Sequence, residues 1–216
     1  AGAQPIVSAV IQLYAAGTAG NGSATSSLLT SVITTDATGA FSVPGGYECP
    51  SSGSQLFVTV TGGKAGSTAE NSAILLVSVL GACNQLAASS QFVINEATTA
   101  ATAWSLAQFL TVGGNLGASS TNTVGLANAV ATVGNLVNLN TGTSPGTGFP
   151  STGTSPAPKI DSIANLLNTC TAAATSCGQL FAATTPGGGT GRTGTLPGAL
   201  GVAEDPGVNV ATGYTQ

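Results

Sequence analysis

Few residues in this chain could carry acid–base or nucleophilic chemistry. Its 216 residues hold three cations, Lys64, Lys159 and Arg192, seven acids and no histidine. Two stretches match catalytic spacings. Gly142-Thr143-Ser144-Pro145-Gly146 is spaced like a nucleophile elbow, but an elbow needs a strand before it, a helix after it and a base for the serine proton. Gly189-Thr190-Gly191-Arg192-Thr193-Gly194 is spaced like a dinucleotide-binding turn, yet it follows Pro186-Gly187-Gly188 where such a turn needs a hydrophobic strand. With 31 glycines in the chain, both matches are expected by chance. A glycosidase needs two carboxylates across one cleft. The acids here read more simply: Glu96 and Asp161 near helix starts, Asp36 in a turn. Lys64 lies in a Gly-Gly-Lys-Ala-Gly turn, a poor place for a buried Lys–Asn cross-link. Three cations cannot neutralise a phosphate backbone, which excludes nucleic acid as a partner. The expectation is a protein that is not an enzyme, with no catalytic, cofactor-binding or metal-binding residue; a hydrolase ranks third among the readings.

Charged residues make up 5% of the chain, against about 25% in ordinary soluble domains. No run approaches the ~18 apolar residues of a spanning helix, so no membrane span is expected. The abundance of Val, Ile, Leu and Ala argues against disorder. The chain begins at Ala1 without a basic-then-apolar leader, which reads as a mature exported chain. Four cysteines without histidine make a poor metal site and a good pair of disulfides. Of the three connectivities, Cys49 with Cys83 and Cys170 with Cys177 is favoured because each pair lies within one compositional segment; free buried thiols are the other reading. Asn21-Gly22-Ser23 is the only N-glycosylation sequon, placing a candidate sugar on Asn21.

Residues 1–92 have strand character. Val7, Ala9, Ile11 and Leu13 alternate with Ser8, Val10, Gln12 and Tyr14, the period of a sheet with one buried face. A strand over Leu28–Thr34, a turn at Asp36–Gly39 and a strand over Phe41–Val43 read as a hairpin. Leu56–Thr61 and Ile74–Leu80 complete at least five short strands, the spacing of an antiparallel sandwich.

Gln4-Pro5-Ile6-Val7-Ser8-Ala9-Val10-Ile11-Gln12-Leu13, followed by Thr34-Thr35-Asp36-Ala37-Thr38-Gly39-Ala40-Phe41-Ser42-Val43, resembles the carboxypeptidase-regulatory-like and Cna-B-like domains. The resemblance covers less than half the chain. It implies a transthyretin-type β-sandwich serving as a non-catalytic module of a secreted bacterial surface protein. Such domains carry a further strand ahead of the Pro-containing turn, whereas Pro5 has four residues before it, so the sandwich is expected to lack one strand or to obtain it elsewhere. An open edge templates association unless it is covered, and a second subunit could supply the strand. Candidate donor and assembly residues are Ala1, Gly2, Ala3, Gln4, Pro5 and Ile6 at one end and Val208, Asn209 and Val210 at the other. The competing expectation is an edge covered by the chain's own second half.

From residue 93 the period becomes helical, giving an α+β fold with a helical region over 93–216. Asn95 caps a helix from Glu96, with Ala97, Ala100, Ala101, Trp104 and Ala107 on one face and Gly113-Gly114 as its stop. Trp104 is expected to anchor the helical core. Leu126, Val130, Val133 and Val137 mark a second helix with Thr123 as cap, and Ile160, Ile163, Leu167 and Cys170 a third. The Thr/Gly/Ser/Pro stretches at 141–158 and 184–194 read as linkers. Together these features suggest an extracellular, cell-surface structural subunit of a filament or pilus-like homopolymer, with itself as partner. A monomeric secreted adhesion module, touching surface glycans or other cell-surface proteins, is the runner-up.

Overall fold

A computed structural model describes residues 4–66, 69–187, 189–207 and 209. The fold is α+β, with antiparallel strands first and five α-helices after them. The alternating N-terminal segment forms β1 (Ile6–Val7) and β2 (Val10–Ala15). Short strands β3 (Ser26–Ser27) and β4 (Ile33–Thr34) pair with opposite ends of one edge of β2. The other edge of β2 pairs with β5 (Gln55–Thr61), and β5 with β7 (Leu75–Ala82). β6 (Lys64–Ala65) pairs only with β1, giving a separate two-stranded sheet.

The register sorts side chains onto two faces. Ile11 lies opposite Val60 and Leu13 opposite Val58, and with Leu56 and Leu76 they build one apolar face. Phe57, Val77 and Val79 build the other, where Tyr14 stacks on Phe57 at 5.4 Å between centroids. β5 is therefore buried on both sides from Leu56 to Val60, with Thr59 the polar residue among them.

The helices cover the Phe57 face. α1 (Glu96–Leu106) begins with a full capping box: the Asn95 side chain accepts the Thr98 N–H at 3.0 Å, and Thr98 Oγ1 accepts the Asn95 N–H at 2.9 Å. α1 packs among β7, α2 (Thr123–Leu136), α3 (Ala157–Ala172) and α5 (Thr195–Glu204), with α4 (Cys177–Thr184) against α3 and α5. The stripe Leu126, Val130, Val133 is buried in α2, with Val137 just past its end, and Ile160, Ile163, Leu167 and Cys170 are buried in α3. Asn122, not Thr123, stands at the α2 cap position.

Several expectations need correction. Trp104 is not the core anchor; it is 41% exposed. α1 is a central helix made mostly of Ala and Thr, buried nearly all round, so close packing leaves its one aromatic side chain at the periphery. It ends at Leu106, well before Gly113, because the following turn sends Phe109 and Leu110 back into the core. Leu28–Thr34 is not one strand, only Ile33–Thr34 of it pairing as β4, and Phe41–Val43 pairs with nothing as a strand. The 141–149 stretch is no free linker: Ser144 Oγ donates to Leu136 O at 2.7 Å and the Gly146 N–H to Asn135 O at 3.0 Å, laying the loop along α2.

β7 is a sheet edge, and threonine hydroxyls close it at two points. Thr99 Oγ1 accepts the Val77 N–H at 3.0 Å, with its proton directed between Asn95 O and Val77 O. Thr195 Oγ1 accepts the Leu75 N–H at 2.9 Å and donates to Leu75 O at 2.6 Å. Each hydroxyl stands where a neighbouring strand's amide and carbonyl would otherwise stand.

Candidate strand-acceptor groove

The Leu13 face of the sheet is buried, with Leu13, Val58 and Val60 at most 4% exposed and Phe41, Val43, Tyr47, Leu86 and Ile94 packed against it. Above it the described residues supply the β1–β6 pair and irregular chain, and between them lies a groove of about 930 Å³. Leu13, Val58 and Val60 reach it from the sheet; Phe41, Val43 and Tyr47 line it from the 36–49 segment; Leu86, Phe92 and Ile94 come from the chain between β7 and α1. Among the lining residues Glu96 alone carries charge, and it is buried at the start of α1, where a carboxylate complements the helix dipole.

The wall made by 40–47 has an unusual backbone. Phe41 and Val43 are half-buried while Ala40, Ser42 and Pro44 are exposed, the alternation of a strand with one covered face. Yet from Phe41 to Cys49 no backbone hydrogen bond joins the chain to another described residue. Gly45 bends the run and Gly46 has φ +94°, and beside the groove its backbone groups have no hydrogen-bond partner among the described residues.

Two devices position the run. At its start, Asp36 Oδ1 accepts from the Thr38 N–H at 2.7 Å, the Thr38 hydroxyl at 2.7 Å and the Ala40 N–H at 3.0 Å. These bonds, the Thr38 hydroxyl foremost, hold the Asp36 carboxyl below its usual pKa. Gly39 in the same turn has φ +75°, and a Cβ there would meet Pro5 Cβ at 2.9 Å, so glycine is needed for both conformation and space. At the other end Cys49 is disulfide-bonded to Cys83, just beyond β7.

The second disulfide, Cys170–Cys177, joins the end of α3 to the start of α4. Beside it the buried Asn71 side chain donates to Cys170 O at 2.7 Å, tying the β6–β7 connection to the helices.

Of the assembly residues expected from sequence, Gln4, Pro5 and Ile6 lie in the groove wall, fixed by the β1–β6 pairing and by the Gly66 N–H donating to Pro5 O at 3.0 Å. Asn209 lies by the end of α4, its amide donating to Ala182 O at 3.2 Å and Thr185 O at 2.9 Å. Ala1, Gly2, Ala3, Val208 and Val210 lie outside the described residues. Asn21 is exposed in a turn. The structure thus gathers Gln4–Ile6, Cys83 and the 41–47 run at one groove and leaves Asn209, Cys170 and Cys177 in the helical layer.

Ser144, the serine of the elbow-like spacing, spends its hydroxyl on a helix carbonyl, and Arg192, in the glycine-rich stretch, pairs with Glu204 at 2.6 Å. Among the described residues no cluster of His, Cys, Asp and Glu could hold a metal ion, and no helix is long and apolar enough to cross a membrane. Sequence reasoning missed the 41–47 run because its alternation is the ordinary signal for a paired strand; the one cue was Pro44-Gly45-Gly46 cutting it short.

No protein-family model, curated protein or solved structure matches this chain.

Proposed function

We propose that the chain is a structural subunit of an extracellular bacterial filament or pilus-like homopolymer, and not an enzyme, and that subunits join when an extended segment of one enters the groove of the next. One observation carries the reading: a groove of about 930 Å³ over the Leu13 face of the sheet, bordered by a run, Phe41 to Cys49, whose backbone groups have no hydrogen-bond partner among the described residues. A strand added there would pair main chain to main chain while alternate side chains fill the trough. In this reading the domain is a transthyretin-type sandwich whose second layer is completed on assembly, and the two disulfides suit an oxidising location outside the cytosol. The scarcity of charge makes subunit contacts tolerant of salt and pH.

Electron microscopy and light scattering of the purified chain at rising concentration test this. Uniform filaments are expected; a monodisperse monomer at millimolar concentration refutes the polymer. The runner-up, a monomeric adhesion module within a larger surface protein, draws on the placement of Gln4–Ile6 in the groove wall, from which a preceding segment of the same chain could fill the trough. Extending the chain upstream would then abolish any self-association and raise the melting temperature.

A further inference from the structure

Resting on the polymer reading, we infer that the strand entering the groove is the C-terminal segment Val210–Gln216 of a second copy, laid along Phe41–Val43.

Three observations select this segment over the N-terminal one. Gln4–Ile6 is already built into the wall of its own groove by the pairing of Ile6 with Ala65 and by the Pro5 carbonyl, so it is not free to leave. The C-terminal segment follows Asn209, which is clamped to the end of α4 in the helical layer. The groove lies on the other face of the sheet from the helical layer that holds Asn209, the residue from which the segment departs. That arrangement favours insertion between copies over self-insertion, and it makes the contact head-to-tail, the symmetry that yields an open filament.

The chemistry of the segment matches the trough. Val210, Thr212 and Tyr214 fall on one side of an extended chain and Ala211, Gly213 and Thr215 on the other, with no charged side chain between Asp205 and Gln216. A strand with uncharged side chains enters a groove lined by mixed polar and apolar side chains without stranding a further ion there. Seven extended residues reach roughly 23–25 Å, longer than the ~17–20 Å of an ordinary strand.

The test uses two full-length variants and one truncation. Removing Val210–Gln216 leaves a subunit that accepts but cannot donate; Val43→Asp leaves one that donates but cannot accept, because the charge faces the trough. Each alone should sediment as a monomer with an unchanged circular dichroism spectrum, and an equimolar mixture should give a heterodimer of twice the mass while the unaltered chain forms filaments. Ser42→Pro, at an exposed position whose N–H has no partner among the described residues, provides a second non-acceptor if Val43→Asp fails to fold. If the truncated chain still forms filaments, the C-terminal donor is wrong while the polymer stands. If the unaltered chain forms none at any concentration, the polymer reading falls and the donor assignment with it.

Discussion

Replacing Thr99 by valine should weaken the fold by removing one oxygen. Val77 is a β7 residue with no exposed surface, and its N–H ends on Thr99 Oγ1 at 3.0 Å in a position that is itself fully buried. Valine matches the shape of threonine, so packing is retained and the loss is the hydrogen bond. An orphaned buried N–H costs about 1–3 kcal/mol. Taking about 2 kcal/mol, and roughly 2–4 °C per kcal/mol for a chain of this size, the melting temperature should fall by roughly 4–8 °C. Thr99→Ser is the matched control: it loses a buried methyl, worth about 1 kcal/mol, but keeps the oxygen. Thermal denaturation followed by circular dichroism gives the stabilities, and amide hydrogen exchange reads Val77 directly. In Thr99→Val the Val77 amide should exchange faster than its β7 neighbours; in Thr99→Ser it should stay protected. A Thr99→Val chain that melts with the parent and keeps Val77 protected would refute the idea that helix hydroxyls close this edge.

Replacing both Cys49 and Cys83 by alanine, 34 residues apart in sequence, should cost about 4 kcal/mol on the chain-entropy argument, and the Cys170/Cys177 pair, 7 apart, about 2 kcal/mol, measured by urea denaturation. Gly201→Ala should destabilise by about 1–3 kcal/mol, since a Cβ there runs into the Thr184 carbonyl where α5 crosses α4; equal stability would mean that the two helices separate freely. The Asp36 carboxyl titrates lower in the folded chain than in the unfolded one, so its contribution is complete above the ordinary carboxylate range and is lost as pH falls through the lowered folded value. Asp36→Asn should remove that acid dependence and speed exchange at the Thr38 and Ala40 amides, read by NMR across an acid titration.

The period-two pattern of residues 7–13 located β2 and its buried face, because an edge-to-centre strand with one covered side must alternate. Helical spacing located α2 and α3 for the same reason, and Asn95 with Thr98 carries a capping signature that needs no tertiary knowledge. α1 was located but misread on its exposed side: Ala and Thr at nearly every position give no stripe, and only the packing of three helices and a strand around it makes Trp104 the outward residue. α4 and α5 were not foreseen, since their glycines and prolines speak against helix locally and close approach, as at Gly201, is what recruits them. The groove was not foreseen, because its walls come from stretches far apart in sequence, near residues 38–47 and 86–94. That Phe41–Val43 alternates in burial yet pairs with no other described residue was not legible, since alternation alone does not report a partner.

The disulfides acquire another meaning when the subunit is considered under tension. A pull between the 41–47 run and the chain beyond Asn209 passes through Cys49–Cys83 into the end of β7, across the threonine bridges to α1 and α5, and by way of Cys170–Cys177 between α3 and α4. Both covalent links sit at ends of regular secondary structure, and between them the sheet and the helices share one apolar core to which Phe57, Val77 and Val79 belong. In the proposed filament each disulfide would limit how far the chain it closes could extend, across 34 residues in one case and 7 in the other, while the shared core kept sheet and helices together.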